Sequence, residues 1–189
     1  MLRDLVMQNR SYRRFHQDVA ITEETLKELV DLARNSASAS NRQALKYIIS
    51  SDPEKNAKIF PLLGFAAQYR EWPGPAEGER PAAYIVILLD TEIAKGAGCD
   101  HGIAAQSILL GATEKGLGGC MHGSVKKDEF REAFALDERY EILLAISLGE
   151  PGEKVILEAM GPDGDTKYWR DEGQGHHVPK RSLDELIIS

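Results

Sequence analysis

Cysteine is scarce in this chain. Cys99 and Cys120 are the only two in 189 residues, too few for a disulfide framework or a four-thiolate metal site, so buried free thiols are expected. Long apolar runs are missing as well: none approaches the ~20 residues of a membrane span. The opening MLRDLVMQNRSYRRF is too polar for a signal-peptide core, and a soluble, cytoplasmic protein is expected. Basic residues are in deficit, 23 against 30 acidic, for a formal net charge of -7. That balance argues against nucleic acid or an anionic membrane as a partner, and any bound anion must be held locally. The phosphate fingerprints G-x-G-x-x-G after a strand and G-x-x-x-x-G-K-[ST] are also lacking, which removes Rossmann and P-loop readings. Neither Cys99-Asp100-His101 nor His176-His177 has a zinc spacing, so no metal is expected, and no G-x-S-x-G elbow supports a serine hydrolase.

What is present suits one domain spanning 1–189, long enough for a single substantial core. Leu2, Leu5 and Val6 have helical spacing, and Leu26, Leu29, Val30 and Ala33 form a second stripe behind Thr22 as N-cap. These two helices flank an arginine-rich loop. Tyr47 to Ser50 reads as a short strand, and Ala82 to Leu89 as a strand buried on both faces because its apolar run is unbroken. A helix is expected between them, over Glu54 to Leu63. Residues 64–81 carry three prolines and three glycines without periodicity and read as a lid or pocket wall. The segment from Gly102 to Lys115 is apolar around most of its circumference, which predicts a central buried helix ending at Gly116. A glycine-rich strand or turn, a short helix over Lys127 to Phe134 and a strand over Tyr140 to Leu148, closed by Gly149 and Pro151, come next. The tail reads as a turn at GPDGD, an irregular polar stretch to His177, and a last helix that Ser182 and Glu185 cap reciprocally. Strands and helices alternate, which gives an α/β or α+β sheet covered by helices.

Three segments could carry chemistry. Arg10, Ser11, Arg13 and Arg14 offer guanidinium forks and a hydroxyl to one anion, phosphate being the natural guest, although arginines also crowd ordinary solvated loops. Lys180 and Arg181 form a second basic group that by itself reads as an ordinary solvated surface. SASASNRQ, residues 36–43, lets backbone groups approach a flat polar ring, or is simply a polar loop. GLGGCMHGS, residues 116–124, permits close backbone approach, or is a tight turn.

Taken in order, NRSYRRF, SASASNRQ, the apolar helix with GLGGCMHGS, LGEP and HHVPKRSL resemble the nitroreductase family of flavoproteins over essentially the whole chain. The resemblance implies an α+β fold, a mixed β-sheet sandwiched by helices in three α-β-α layers. It also implies a homodimer with exchanged terminal segments and FMN at the subunit interface. Arg10, Ser11 and Arg13 would contact the FMN phosphate and ribityl end, with Lys180 and Arg181 as further basic ligands. Ala37, Ser38, Ala39 and Asn41 of the opposite protomer would lie beside the isoalloxazine ring, and Gly123 and Ser124 near flavin N5. The implied activity is ping-pong electron transfer from NADH or NADPH to a small organic acceptor such as a nitroaromatic, quinone or activated alkene. The flavin performs the chemistry, so no side chain is assigned as acid, base or nucleophile. Water or a pocket group such as His122 is left as the source of the second proton. Two departures stand out: Asn9 occupies a position where many members have another arginine, and Ala44-Leu45 replaces a frequent Pro-Trp. A flavin-binding module without turnover and a specialised, dehalogenase-like reductase remain as alternatives.

Overall fold

The structure, a computed structural model, describes residues 1–66 and 72–188. Its helices and strands run α1 (Leu2–Gln8), β1 (Phe15–His16), α2 (Glu23–Arg34), β2 (Leu45–Ser50), α3 (Pro53–Ile59), β3 (Ala83–Asp90) and α4 (Asp100–Glu114). There follow β4 (Gly118–His122), α5 (Lys127–Ala133), β5 (Tyr140–Pro151), β6 (Val155–Ala159), β7 (Trp169–Arg170), β8 (His176–Lys180) and α6 (Leu183–Leu186).

β3 organises the whole. Its eight residues AYIVILLD are all buried, and full burial of each Ile or Leu side chain contributes about 1.5–3 kcal/mol. Because side chains alternate across a strand, β3 feeds two cores. Ala83, Ile85 and Ile87 join Leu26, Leu29 and Ala33 of α2 and Ala104, Ala105, Ile108 and Ala112 of α4. Tyr84, Val86 and Leu88 join Ile59 of α3 and Phe130 of α5 on the other face. The result is the expected three-layer α-β-α sandwich. The five-stranded sheet has the order β1-β5-β3-β2, with β4 paired to the other edge of β5. Its strand pairs are antiparallel, and a parallel bridge joins Ser11 to Gly119.

Local signals set several boundaries. Thr22 caps α2 by accepting from the Thr25 N–H, Asp52 caps α3 ahead of Pro53, and Ser182 and Glu185 form the reciprocal cap of α6. The helix expected to Leu63 stops at Ile59 and tightens into a 3-10 turn over Phe60–Leu62, where Pro61 has no N–H to continue it. β5 does not close before Gly149: it runs on to Pro151, because its end pairs with β1 at Phe15 and His16. The largest correction is the tail. Instead of an irregular stretch, a second sheet of order β6-β8-β7 forms, with β6 parallel to β8. Parallel pairing across a long connection leaves no hairpin turn to read in the sequence. The lid reading of residues 64–81 falls in part on 67–71, outside the described residues; among 64–66 and 72–81 there is no helix or strand, as expected for a connection. No described helix is long and apolar enough to cross a membrane.

Candidate active site

The loop after α1 lies against β4. The Tyr12 N–H donates to the Gly119 carbonyl at 3.0 Å, next to the Ser11–Gly119 bridge. Glycine is required at 119, since a Cβ there would stand 2.6 Å from both the Leu109 side chain and the Ser147 carbonyl. The loop thereby borders a cavity of about 370 Å³ lined by Arg10, Ser11 and Arg13, Gln106 of α4, and Tyr168, His176 and Lys180 of the tail. Asn9 also lines it. Arg10 spends one terminal nitrogen on the Val6 carbonyl at 2.8 Å. Arg13 reaches the Ser11 carbonyl at 3.4 Å and lies 3.4 Å from His176 Nε2, with the Tyr168 ring 5.0 Å from its Cζ. The Nε–H groups of both Arg10 and Arg13 are buried and have no acceptor among the described residues. The Nε–H groups of Arg14, Arg80 and Arg139 are buried in the same way, so what distinguishes this cavity is the gathering of Arg10, Arg13 and Lys180 around one space, a cationic lining that suits a phosphate. Burial, reinforced by Arg170 and Arg13 against the opposing Glu153, pushes His176 down to about 4. A neutral imidazole can therefore face Arg13 without charge repulsion.

A second cavity of about 160 Å³ lies at the other end of α4, lined by Ala37, Ser38, Gln43, Tyr47, Asp100 and Ala104 among others. Asp100 holds its loop. Ser38 Oγ donates to Asp100 Oδ2 at 2.7 Å and the Ala39 N–H to Oδ1 at 2.9 Å, while the Gln43 N–H donates back to Ser38 Oγ at 3.1 Å. Ser40, Asn41 and Gln43 take left-handed φ values of 54°, 53° and 54°, unusual for residues with a Cβ and sustained by these bonds. Ala37, Ala39 and Asn41 are exposed, presented outward by a loop that is fixed from behind. Of the two replaced family positions, Ala44 is buried and Leu45 lines this cavity.

Residues 6–150 match the model of the Nitroreductase family. The chain belongs to the nitroreductase family. Among its relatives in this family, the NADPH-flavin oxidoreductase of Vibrio harveyi is 25% identical over 176 residues, covering 84% of this chain and 69% of that protein. FMN reductase (NADPH) of Bacillus subtilis is 27% identical over 163 residues, covering 78% of this chain and 65% of that protein. The fold likeness extends to the crystal structure of a nitroreductase family protein from Streptococcus pneumoniae, with a TM-score of 0.70 at 17% identity, covering 86% of this chain and 96% of that one. The tail from residue 151 onward lies beyond the family match, yet it supplies Tyr168, His176 and Lys180 to the arginine cavity.

Within one chain, this member of the family gathers Arg10, Ser11, Arg13 and Lys180 in one cavity and Ala37 and Ser38 in another. The remaining residues singled out in the sequence lie elsewhere. Gly123 and Ser124 are exposed just after β4, where the Gly64 N–H donates to the Ser124 carbonyl at 2.8 Å and nothing lies within 4 Å of a Cβ built on Gly123. The Arg181 guanidinium lies 3.3 Å from Glu185. His122 is not a free proton source. It is buried, with Nδ1 3.0 Å from the Gly64 carbonyl and Nε2 2.9 Å from Ser147 Oγ. A carbonyl only accepts, so Nδ1 carries the hydrogen and Nε2 receives the Ser147 hydroxyl. Burial lowers this histidine to about 4, so it stays neutral in both its contacts. The residues that sequence reasoning missed are Gln106, Asp100, Tyr168 and His176. Gln106 sits in the apolar run AAQSILL that marks a buried helix, and the last two lie in a tail without a readable period. Among the described residues no group of three or more His, Cys, Asp or Glu is placed to hold a metal ion.

Proposed function

We infer that this protein is an FMN-dependent oxidoreductase that takes electrons from NADH or NADPH and delivers them to a small organic acceptor. The observation that carries the reading is the cavity that gathers Arg10, Ser11, Arg13 and Lys180, in a chain of the nitroreductase family. The relatives named for NADPH, flavin and FMN support the cofactor and donor. When bound, FMN supplies a two-electron carrier that reduced nicotinamide loads and the acceptor then unloads, in a ping-pong cycle.

Arg10, Ser11, Arg13 and Lys180 bind the phosphate, and their positive charge offsets a dianion in a protein that is acidic overall. Ala37, Ser38, Ala39 and Asn41 offer small side chains and backbone groups to the ring edge from the partner protomer. Gly123 and Ser124 supply the open backbone at the redox end of the ring. Arg181 remains a further phosphate ligand on condition that it leaves Glu185. The homodimer is supported by apolar residues exposed at both termini: Leu2, Val6 and Met7 of α1, Leu183 and Leu186 of α6, and Ile187 and Ile188 after it. The acceptors proposed are nitroaromatics, quinones and activated alkenes, and the proposed setting is the cytoplasm.

The test is an absorption spectrum of the purified protein, before and after anaerobic addition of NADH and of NADPH. A yellow protein that releases FMN on denaturation and bleaches with one of the two donors is expected. A colourless protein that also fails to take up added FMN sinks the assignment. Bound FMN that neither donor bleaches reduces the protein to a binding module.

A further inference from the structure

The arginine loop is held from behind by a carboxylate that lies beyond the family match. The Glu153 side chain is only 2% exposed. Its Oε1 accepts from the backbone N–H of Arg13 at 2.5 Å and of Arg14 at 3.2 Å, and its Oε2 pairs with Arg170 Nη2 at 2.5 Å. The Gly152 N–H donates to the Arg14 carbonyl at 2.9 Å, which ties the carboxylate to the loop through the main chain too. Arg170 is itself mostly buried and donates through Nη1 to the Gln174 carbonyl at 3.1 Å. Residues 153 and 170 both follow residue 150, where the family match ends.

Two successive backbone N–H groups converging on one oxygen form a concave donor pair, the kind of arrangement that binds an external anion. Here the chain fills it with its own carboxylate. The loop conformation is thus fixed from one side while Arg10 and Arg13 present their side chains to the cavity on the other. We propose that Glu153, working as a unit with Arg170, is the positioning residue of the anion-binding loop and sets how strongly Arg10 and Arg13 grip the FMN phosphate. The inference rests on the assignment of this cavity to that phosphate. Glu153 touches neither cofactor nor substrate in this role; it acts through the backbone of Arg13 and Arg14.

Glu153→Gln keeps an oxygen for the two N–H groups but turns an amide donor toward the Arg170 donor. The affinity of the full-length apo-protein for FMN should fall about tenfold, the scale of losing one charge-assisted contact next to the site. Affinity for riboflavin, which has no phosphate, should stay within about twofold. In Glu153→Gln/Arg170→Gln the second amide can accept from the first and no charge is left unpaired, so FMN affinity should return to within about threefold of the starting protein. Arg170→Gln alone strands the carboxylate and should show the FMN-selective loss, which decides the matter if Glu153→Gln does not fold. Equal losses for both flavins, or a lower melting temperature with an unchanged FMN-to-riboflavin ratio, overturn the proposal. Arg13→Ala run alongside keeps the two readings apart. If Arg13→Ala also fails to discriminate the flavins, the phosphate assignment is at fault; if it discriminates while the Glu153 and Arg170 variants do not, only the positioning role is rejected.

Discussion

In the arginine cavity the polar groups are the tips of long side chains brought in from α1's loop, α4 and the tail, whereas beside Ser38 they are backbone groups of one short loop tied to a single carboxylate, Asp100. The first is built for charge, with Arg10, Arg13 and Lys180 around one space. The second is internally satisfied and puts its cost into backbone shape, in the left-handed turn at Ser40, Asn41 and Gln43. The difference teaches what each end can recognise. Guanidinium forks select a dianion, while a fixed loop of small residues selects a flat face by fit and tolerates little added bulk.

The sharpest way to break the comparison is to ask whether the two cavities serve one site across a dimer. Arg13→Ala and Ser38→Trp should each bind FMN poorly as homodimers. Refolded together in equal amounts, about half the dimers should be mixed, and each mixed dimer holds one site with both defects and one with neither, so roughly a quarter of all sites should recover. Verified mixed dimers without recovered FMN binding would show that the two cavities do not meet across the axis.

A smaller effect separates charge from shape. Arg13→Ala should weaken FMN binding by roughly 1.5–3 kcal/mol, as for the loss of a hydrogen bond to a charged group, and leave riboflavin nearly unchanged. Titration of both ligands decides it, because equal losses would mean that Arg13 does not serve the phosphate. Asp100→Asn is the counterpart at the other cavity. An amide can accept from Ser38 or from the Ala39 N–H but not from both as a carboxylate does, so FMN and riboflavin should each lose about 1 kcal/mol. An FMN-selective loss there would erase the distinction between the two ends.

The smallest expected effect concerns pH. Hydrogen bonds donated to Asp171 and Glu158, at 3.0 and 2.9 Å, hold the His177 imidazolium above the usual histidine value, and that side chain links β8 to β6. A raised folded value means that the contribution to stability is complete below the ordinary 6.5 and is lost as pH rises through the folded value. Glu158 is lowered first by its bond from Trp169 and then by His177, and Asp171 by His177, so their contributions fade only as pH falls through those lowered values. Amide hydrogen exchange, corrected for intrinsic rates, should show protection in β6 and β8 dropping on the alkaline side while the Ala39 N–H keeps its own. Flat protection across that range in the tail would remove His177 as its clasp.

Much of this was readable residue by residue. The apolar run of β3 announced a strand buried on both faces, and Thr22 and the Ser182–Glu185 pair marked helix starts. The tail was not readable, because Val155–Ala159 finds its partner His176–Lys180 in parallel and at a distance. Asp100, given no role by the spacing of Cys99-Asp100-His101, proved to be the anchor of the SASASN loop. His122 looked available and is enclosed between Gly64 and Ser147.

The amino-acid sequence by itself determined the periodicities, the caps and the chemical types on offer, since these depend on neighbours a few residues apart and on what each side chain can donate or accept. Only the tertiary structure decided which of those groups remain unmatched. Whether the Arg13 backbone is held and His122 is a satisfied imidazole depends on which distant segments, Glu153 and Arg170 or Gly64 and Ser147, are folded against them, and burial raises the cost of each missing partner.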